Sequence, residues 1–429
     1  MKFKTLFERS KAVKEDIKFG RQVIFSTFVM FVGFSIFFLN HYSVRLEGIQ
    51  GQWTPLKNCA SFPSLGCDFE SIRVCALRFR SGISPFEVNL NYYPPFATLF
   101  SILFTFIPLK IGFQIHTFLS FLAHIASVFY IFKITQTTLL IQSPEDRRNT
   151  LPFWLILTCV ITFLSLSGAP FEFNIAVGNL DHFPILLMIL STCLLMRHEK
   201  SFWLPTLFLS LAIHLKLYPA ILLPILLWKY GKKIILPLIV INSGLLFCLG
   251  YQNALQFIHN VAIVTSWNLP QVYNNSAFAF GSRWANLLGQ KPGPFVTLAT
   301  FVPLSIWGIL AYQIFRRGYS QLNVFFYLIL SVPLMCFIPA ISKDYKLVLL
   351  TPFILAMILF HQDRFRKEGG FFPLILASLT LLCFRQILLP SLEDGNLFFQ
   401  NKYPVIFLFE ILTVVTILST YKSKPASSI

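Results

Sequence analysis

The sequence predicts an all-α, polytopic transmembrane protein with about twelve spans, one re-entrant or juxtamembrane helix, and loops that build an outer face. Hydrophobic residues make up 55% of the 429 positions, so there is too little polar surface to cover a water-soluble globule of this size. Charged residues make up only 12%, and the lysines and arginines stand mostly in short breaks between apolar runs. Such clusters usually set membrane orientation, so the net charge of +17 does not indicate a nucleic-acid partner.

The N-terminal segment sets the expected orientation. Seven basic and three acidic residues precede the first apolar run, 23–39. The positive-inside bias then places the N-terminus in the cytoplasm. A cleavable signal peptide is not expected, because the basic region is long and no small-residue cleavage site follows the apolar core.

Twelve apolar runs are counted as spans. Several are shorter than the ~20 residues that an upright helix needs, so their ends must extend into the flanking loops or the membrane must thin locally. The runs are 23–39, 111–132, 152–167, 183–196, 202–215, 217–228, 234–249, 295–315, 324–338, 347–360, 371–388 and 404–418.

A further run, 94–108, decides the topology, because counting it would reverse the side of everything that follows. It is short, begins with Pro94 and Pro95 and ends at Pro108, which is typical of a re-entrant or surface-lying helix. If this run is not counted as a span, the later basic clusters and both termini lie in the cytoplasm. The chain is then one membrane domain, 1–429, with outer loops at 41–93 and 251–294, and 41–110 combines the first loop with the juxtamembrane helix.

Few carboxylates lie near the expected outer boundary. Desolvating a carboxylate there costs several kcal/mol unless it is paired, so each one indicates a partner or a chemical role. For Glu70 and Glu172 a solvated loop position or a helix cap is the better interpretation. The remaining candidate acids and bases are Asp68, Asp181 and Asp344.

Two outer basic residues work against the orientation bias. Lys216 is wedged between two apolar runs in IHLKLYPAILLP, and Arg283 follows in NNSAFAFGSRW with no acid between residues 251 and 294. Taken alone, either side chain is expected to snorkel to the surface. A phosphorylated lipid headgroup would instead give each of them a counter-ion.

Cysteine and metal patterns leave no clear cofactor site. A Cys59–Cys67 bridge suits an oxidising outer face, but Cys75 makes a third cysteine and the pairing stays open. No cluster has metal-ligand spacing, and neither a Gly-rich phosphate loop nor a nucleophile elbow occurs. No cofactor is expected, although a divalent cation is not excluded.

Four outer segments form an ordered pattern between residues 68 and 350. In this order they resemble the polyprenyl-phosphate-sugar-dependent glycosyltransferases of the C superfamily, most closely the mannosyl- and arabinofuranosyltransferase-like proteins of glycosyltransferase family 87. The segments are Asp68 to GISPF at 82–86; Tyr93-Pro94-Pro95; GNLD at 178–181 with Lys216 and Pro219; and Asn275-Ser276 with Arg283 before IPAISKDYK at 338–346.

The resemblance implies an inner-membrane enzyme that moves one sugar, by direct inversion, from a polyprenyl phosphate to a lipid or glycan acceptor on the outer face. Asp68 would be the general base, and Lys216 and Arg283 would hold the leaving phosphate. Tyr92 and Trp267 would border the sugar or lipid, unless they are interfacial anchors. Further substrate-binding positions implied by the matched segments are Tyr93, Asn179, Asp181, Asn275, Ser276 and Asp344.

Two departures leave alternatives open. Asn179 and Asp181 stand where the family has Gly-Gln-x-Asn, and Lys343 to Lys346 replace a segment that often carries histidine. The second acid or base, or the group that orients the acceptor, therefore stays open.

A transporter or lipid-linked sugar flippase would also have proline-broken apolar runs. Against this class, no inverted repeat is seen, and Glu410 is the main charge within a run. A non-catalytic scaffold would make the outer carboxylates dispensable.

Overall fold

The computed structural model describes residues 66–87, 91–140, 166, 169–197, 201–266, 274–339, 344–360 and 402–423. Every regular element within these ranges is helical, in agreement with the predicted all-α class. Short 3-10 helices at Ile102–Phe106, Tyr218–Leu222, Gly231–Ile234 and Asp344–Leu349 join or extend the α-helices. The α-helices are α1 (Cys67–Arg80), α2 (Pro95–Ser101), α3 (Leu109–Leu140), α4 (Ala169–Val177), α5 (His182–Met196), α6 (Trp203–Leu215), α7 (Leu223–Tyr230), α8 (Ile235–Leu246), α9 (Tyr251–Ser266), α10 (Ala277–Leu287), α11 (Pro292–Arg316), α12 (Gln321–Phe337), α13 (Leu350–Phe360) and α14 (Tyr403–Ser423).

The apolar helices are those of a membrane protein, but they do not confirm twelve spans. Among the described residues, α3, α11 and α14 are long and apolar enough to cross a membrane. A fourth candidate is a bent pair, Tyr218–Leu246 followed by Tyr251–Val264 at 91°. The predicted runs 217–228 and 234–249 thus fall within one helical segment. The runs 23–39, 152–167 (apart from Leu166) and 371–388 lie outside the described residues.

The segment predicted as the second outer loop contains helices α9 and α10 rather than irregular chain. Gly250, with φ of 95°, permits the sharp turn into α9. Within α9 the buried positions Ala254, Phe257, Asn260 and Val264 recur every three or four residues. This spacing is that of an amphipathic helix, although one of its buried positions is an asparagine.

The run 94–108 forms a short helical element. It consists of seven α-helical residues in α2 and five 3-10 residues after it. Pro95 occupies the first turn, where its missing N–H costs nothing. At about 1.5 Å per α-helical residue and about 2.0 Å per 3-10 residue, the element reaches about 20 Å, less than the roughly 30 Å of a hydrocarbon core. Its length therefore fits the prediction that it does not cross, while the side on which each loop lies stays a prediction.

Helix α12 lies at the centre of the described bundle. Its residues from Asn323 to Phe337 are all buried, and it packs against α5, α11 and α14. A helix that is buried all round is a core element rather than a surface one. The Tyr327 hydroxyl donates a 2.9 Å hydrogen bond to the carbonyl of Ile221. This bond ties the core to the turn after α6, where the candidate site lies.

Candidate functional site

The turn between α4 and α5 brings the site together because Gly178 lets α1 approach closely. Gly178 has φ of 70°, and a Cβ there would stand 2.6 Å from the Cβ of Phe69 and 3.0 Å from a ring carbon of Phe113. No other residue type fits both the conformation and the space. The first turn of α1 therefore rests directly on residues 178–181.

Asp68 lies in the first turn of α1, and Asn179 orients its carboxylate. The Asn179 Nδ2 donates a 2.6 Å hydrogen bond to Asp68 Oδ2. Asn179 is fully buried, and its Oδ1 accepts the backbone N–H of Asp181 at 3.2 Å, which fixes the amide's orientation. The structure thus unites two sequence-predicted residues, Asp68 from the first segment of the ordered pattern and Asn179 from the third. Within the segment predicted as the first outer loop, Asp68 lies in a helix.

Lys216 ends α6 and faces a buried carboxylate. Its Nζ lies 3.8 Å from Asp181 Oδ1, and Asp181 is fully buried. The same ammonium lies 3.5 Å from the Tyr93 hydroxyl and 4.7 Å from the centre of the Tyr93 ring. The sequence offered no nearby acid for Lys216, because Asp181 is brought to it only by the packing of α5 against α6. Lys216 is therefore held in place rather than snorkelling freely.

A cavity of about 400 Å³ opens beside Lys216 and Tyr93. Its polar lining contains two lysines and three tyrosines: Lys216, Lys346, Tyr92, Tyr93 and Tyr218. Tyr92 stacks on Tyr93, with ring centres 5.4 Å apart. The apolar lining includes Val261 and Val264 of α9 and Leu334, Met335 and Ile338 at the end of α12. The cavity therefore combines cationic groups with a hydrocarbon-like lining.

Lys346 lines the cavity, whereas the sequence named it only as part of the departure at 343–346 and not as a substrate-binding residue. It lies in the 3-10 helix Asp344–Leu349, is only 7% exposed, and places its Nζ 5.8 Å from the centre of the Tyr218 ring. Burial lowers the pKa of Lys346 to about 8; the Asp181 carboxylate opposes this shift and the Lys216 charge adds to it. The available signal was the one used for Lys216, a lysine against the start of an apolar run on the expected outer side.

Asn275, Ser276 and Arg283, from the first part of the fourth segment, lie at α10, and none of the three lines the cavity. Ser276 caps α10 by accepting the Ala279 N–H at 3.2 Å, and Asn275 Oδ1 accepts the Lys402 N–H at 2.7 Å. Arg283 is buried within α10. The structure thus gives Ser276 and Asn275 structural contacts and does not bring Arg283 to Lys216 at the cavity. Their substrate-binding roles stay predictions.

The remaining predicted positions are placed only in part. Asp344 begins the 3-10 helix that carries Lys346. Cys67 and Cys75 lie on α1, whereas Cys59 and Trp267 lie outside the described residues, so the cysteine pairing stays open. Within the described ranges, no group of three or more histidine, cysteine, aspartate or glutamate residues could hold a metal ion.

Comparison with known proteins gives one family match. The model of glycosyltransferase family 87 matches residues 91–339, more than half of the chain. No curated protein matches the chain. The matched range contains Tyr93, Asn179, Asp181 and Lys216, whereas α1 with Asp68 precedes it and the helix with Lys346 follows it.

Proposed function

Because the chain belongs to glycosyltransferase family 87, we propose that it transfers one mannose- or arabinofuranose-like sugar from a polyprenyl phosphate to a lipid or glycan acceptor. The reaction would take place on the outer face of the cytoplasmic membrane, with both termini inside. The observation that carries this proposal is the contact of the Asp68–Asn179 pair with the Tyr93 and Lys216 edge of the amphipathic cavity.

The cavity suits the donor because it offers the same two kinds of chemistry, cationic groups and an apolar lining. A polyprenyl-phosphate sugar carries one negative charge between a sugar and a hydrocarbon chain. Lys216 and Lys346, offset by the Asp181 carboxylate, leave one formal positive charge to meet that phosphodiester. The apolar lining from α9 and α12 would receive the first isoprene units.

The transfer step assigns a separate task to each half of the site. The acceptor hydroxyl oxygen forms a bond to the anomeric carbon while the bond from that carbon to the phosphate oxygen breaks. Asp68 takes the hydroxyl proton, and the bonding electron pair leaves with the phosphate, whose charge grows to two. The Lys216 and Lys346 ammonium groups stabilise that growing charge, which is a transition-state effect rather than simple binding.

The test is sugar transfer by the purified protein in nanodiscs, with radiolabelled polyprenyl-phosphate sugars and lipid acceptors. General-base catalysis contributes about 10²–10⁴ in rate, so Asp68→Asn should lose that much turnover while donor binding survives. Glu70→Gln, on the same turn of α1, is the matched control and should be mild. Near-parental transfer by Asp68→Asn would move the base elsewhere. Failure of every donor to react would favour a transporter of lipid-linked sugars.

A further inference from the structure

Helix α1 carries three arginines, Arg73, Arg78 and Arg80, on the face of the membrane where basic residues are unexpected. We propose that Arg73 is a positioning residue, which holds α1 against the 3-10 helix after α2 and thereby keeps Asp68 in place. The proposal rests on the transferase function above, in which Asp68 is the base. Nothing in the sequence pattern assigns a role to this arginine.

The arginines satisfy backbone groups that the short helical element leaves open. A helix ends with carbonyls that lack intrahelical partners, and in an apolar setting each must find one. Arg73 donates from Nε to the Phe104 carbonyl and from Nη2 to the Ile107 carbonyl, both at 3.1 Å. Arg80 donates to the Thr105 hydroxyl at 2.8 Å and lies over the Phe106 ring at 4.1 Å. The end of the 3-10 helix is therefore fastened to α1 by two side chains.

The position of Arg73 on α1 makes it the anchor that acts on the carboxylate. Asp68 and Arg73 are about 7.5 Å apart along the helix axis, whereas Arg80 is about 18 Å from Asp68. Phe69 and Ile72 also hold this part of α1 by apolar contacts, Phe69 on the rings of Phe104, Phe113 and His116 and Ile72 in a cluster with Tyr93 and Leu180. Apolar contacts have no preferred direction, whereas the two hydrogen bonds of Arg73 to backbone carbonyls fix the rotation of α1 about its axis. Arg73 thus fixes the direction from which Asp68 meets Asn179.

The kinetic test compares Arg73→Gln with Arg78→Gln, which removes the same charge from the same helix. Within the described part of the chain, the buried Nε of Arg78 has no hydrogen-bond partner, so its loss should leave transfer unchanged. A misplacement of about 1 Å costs up to about a hundredfold, so Arg73→Gln should lower kcat by roughly ten- to a hundredfold. The donor KM should stay the same, because the cavity does not include α1, and Arg73→Lys should restore part of the rate. Equal kcat in the two glutamine variants would overturn the proposal.

A second measurement does not depend on activity. Hydrogen exchange of the backbone amides at 68–73 should be several-fold faster in Arg73→Gln than in the parent or in Arg78→Gln. Unchanged exchange in Arg73→Gln would refute the anchor even if no donor were ever found. Faster exchange in Arg73→Gln, combined with a parent protein that transfers no sugar, would uphold the anchor and reject the transferase function instead.

Discussion

The side-chain amide of Asn179 donates a 2.6 Å hydrogen bond to the carboxylate of Asp68, across 111 positions of sequence. Asn179 stands where the chain departs from the family pattern, and Asp68 lies before the matched range. The contact joins a predicted substrate-binding residue to the proposed base. The departure keeps the amide group of the family's glutamine on a shorter side chain, and an amide N–H can hold a carboxylate that still accepts a proton.

Asn179→Ala should slow transfer without weakening donor binding. A hydrogen bond to a charged group contributes about 1.5–3 kcal/mol, so kcat should fall roughly ten- to a hundredfold. Steady-state kinetics with a fixed donor series measures this. Asn242→Ala is the control, since Asn242 hydrogen-bonds Ser210 away from the cavity and should retain parental turnover. A rise in donor KM alone would instead make Asn179 a donor contact.

Gly178→Ala should destabilise the protein more than Gly82→Ala. Both glycines have positive φ, so both substitutions strain the backbone, but a Cβ at Gly178 meets Phe69 at 2.6 Å whereas Gly82 has open space. Overpacking adds about 1–3 kcal/mol to the backbone cost. Thermal unfolding in detergent compares the two. Equal midpoints would show that α1 does not rest on this turn.

Lys216→Ala and Lys346→Ala should each weaken donor use by roughly ten- to a hundredfold, from the loss of one charge-assisted contact of about 1.5–3 kcal/mol. Lys110→Ala, an exposed lysine on α3, controls for net charge. Arg283→Ala tests the expectation from sequence that Lys216 and Arg283 hold the phosphate together. This variant should weaken donor use only if the phosphate reaches α10. A lysine whose variant keeps parental donor kinetics does not belong to the phosphate site.

Donor use should fall as the pH rises through about 8. Burial lowers the pKa of Lys346 from 10.5 to about 8, so the free enzyme carries this charge below that pH and loses it above. The pH profile of kcat/KM reports groups of the free enzyme and should show the loss. Lys346→Arg keeps its charge throughout and should remove this limb of the profile. A limb that persists in the arginine variant would belong to another group.

Residues 145–150 should be cytoplasmic, because 94–108 is predicted not to cross. Single cysteines introduced there should react with a membrane-impermeant reagent only after the membrane is opened. Labelling from outside would reverse the topology and place Asp181 on the wrong side for an outer active site.

Local patterns predicted much of this molecule. The apolar runs mark most of the described helices, and the prolines at 94, 95 and 108 indicate the short element at α2. Lys216 was found because a charge at the edge of an apolar run is unusual. Asp68 and Tyr93 were found through motif order. Each of these signals is contained within a few neighbouring residues.

The sequence could not supply the contacts between distant segments. Lys216 seemed to lack an acid because Asp181 reaches it only through helix packing. Lys346 was named only as part of a departure, because its place at the cavity beside α12 and the turn after α6 depends on contacts that no local window contains. Helix α9 was read as loop because its buried face includes Asn260, whose amide donates to the Phe86 and Asn91 carbonyls.

The Tyr93 hydroxyl lies 3.5 Å from both the Asn179 amide and the Lys216 ammonium, so one oxygen is shared by the two sides of the site. A phosphate that draws Lys216 toward itself changes what this oxygen can offer Asn179, and with it the hold on Asp68. In the proposed reaction, donor and acceptor would then be coupled ligands, and thermodynamic linkage requires each to alter the other's affinity by the same factor. The strength of this coupling between the two substrates would depend on a single phenol.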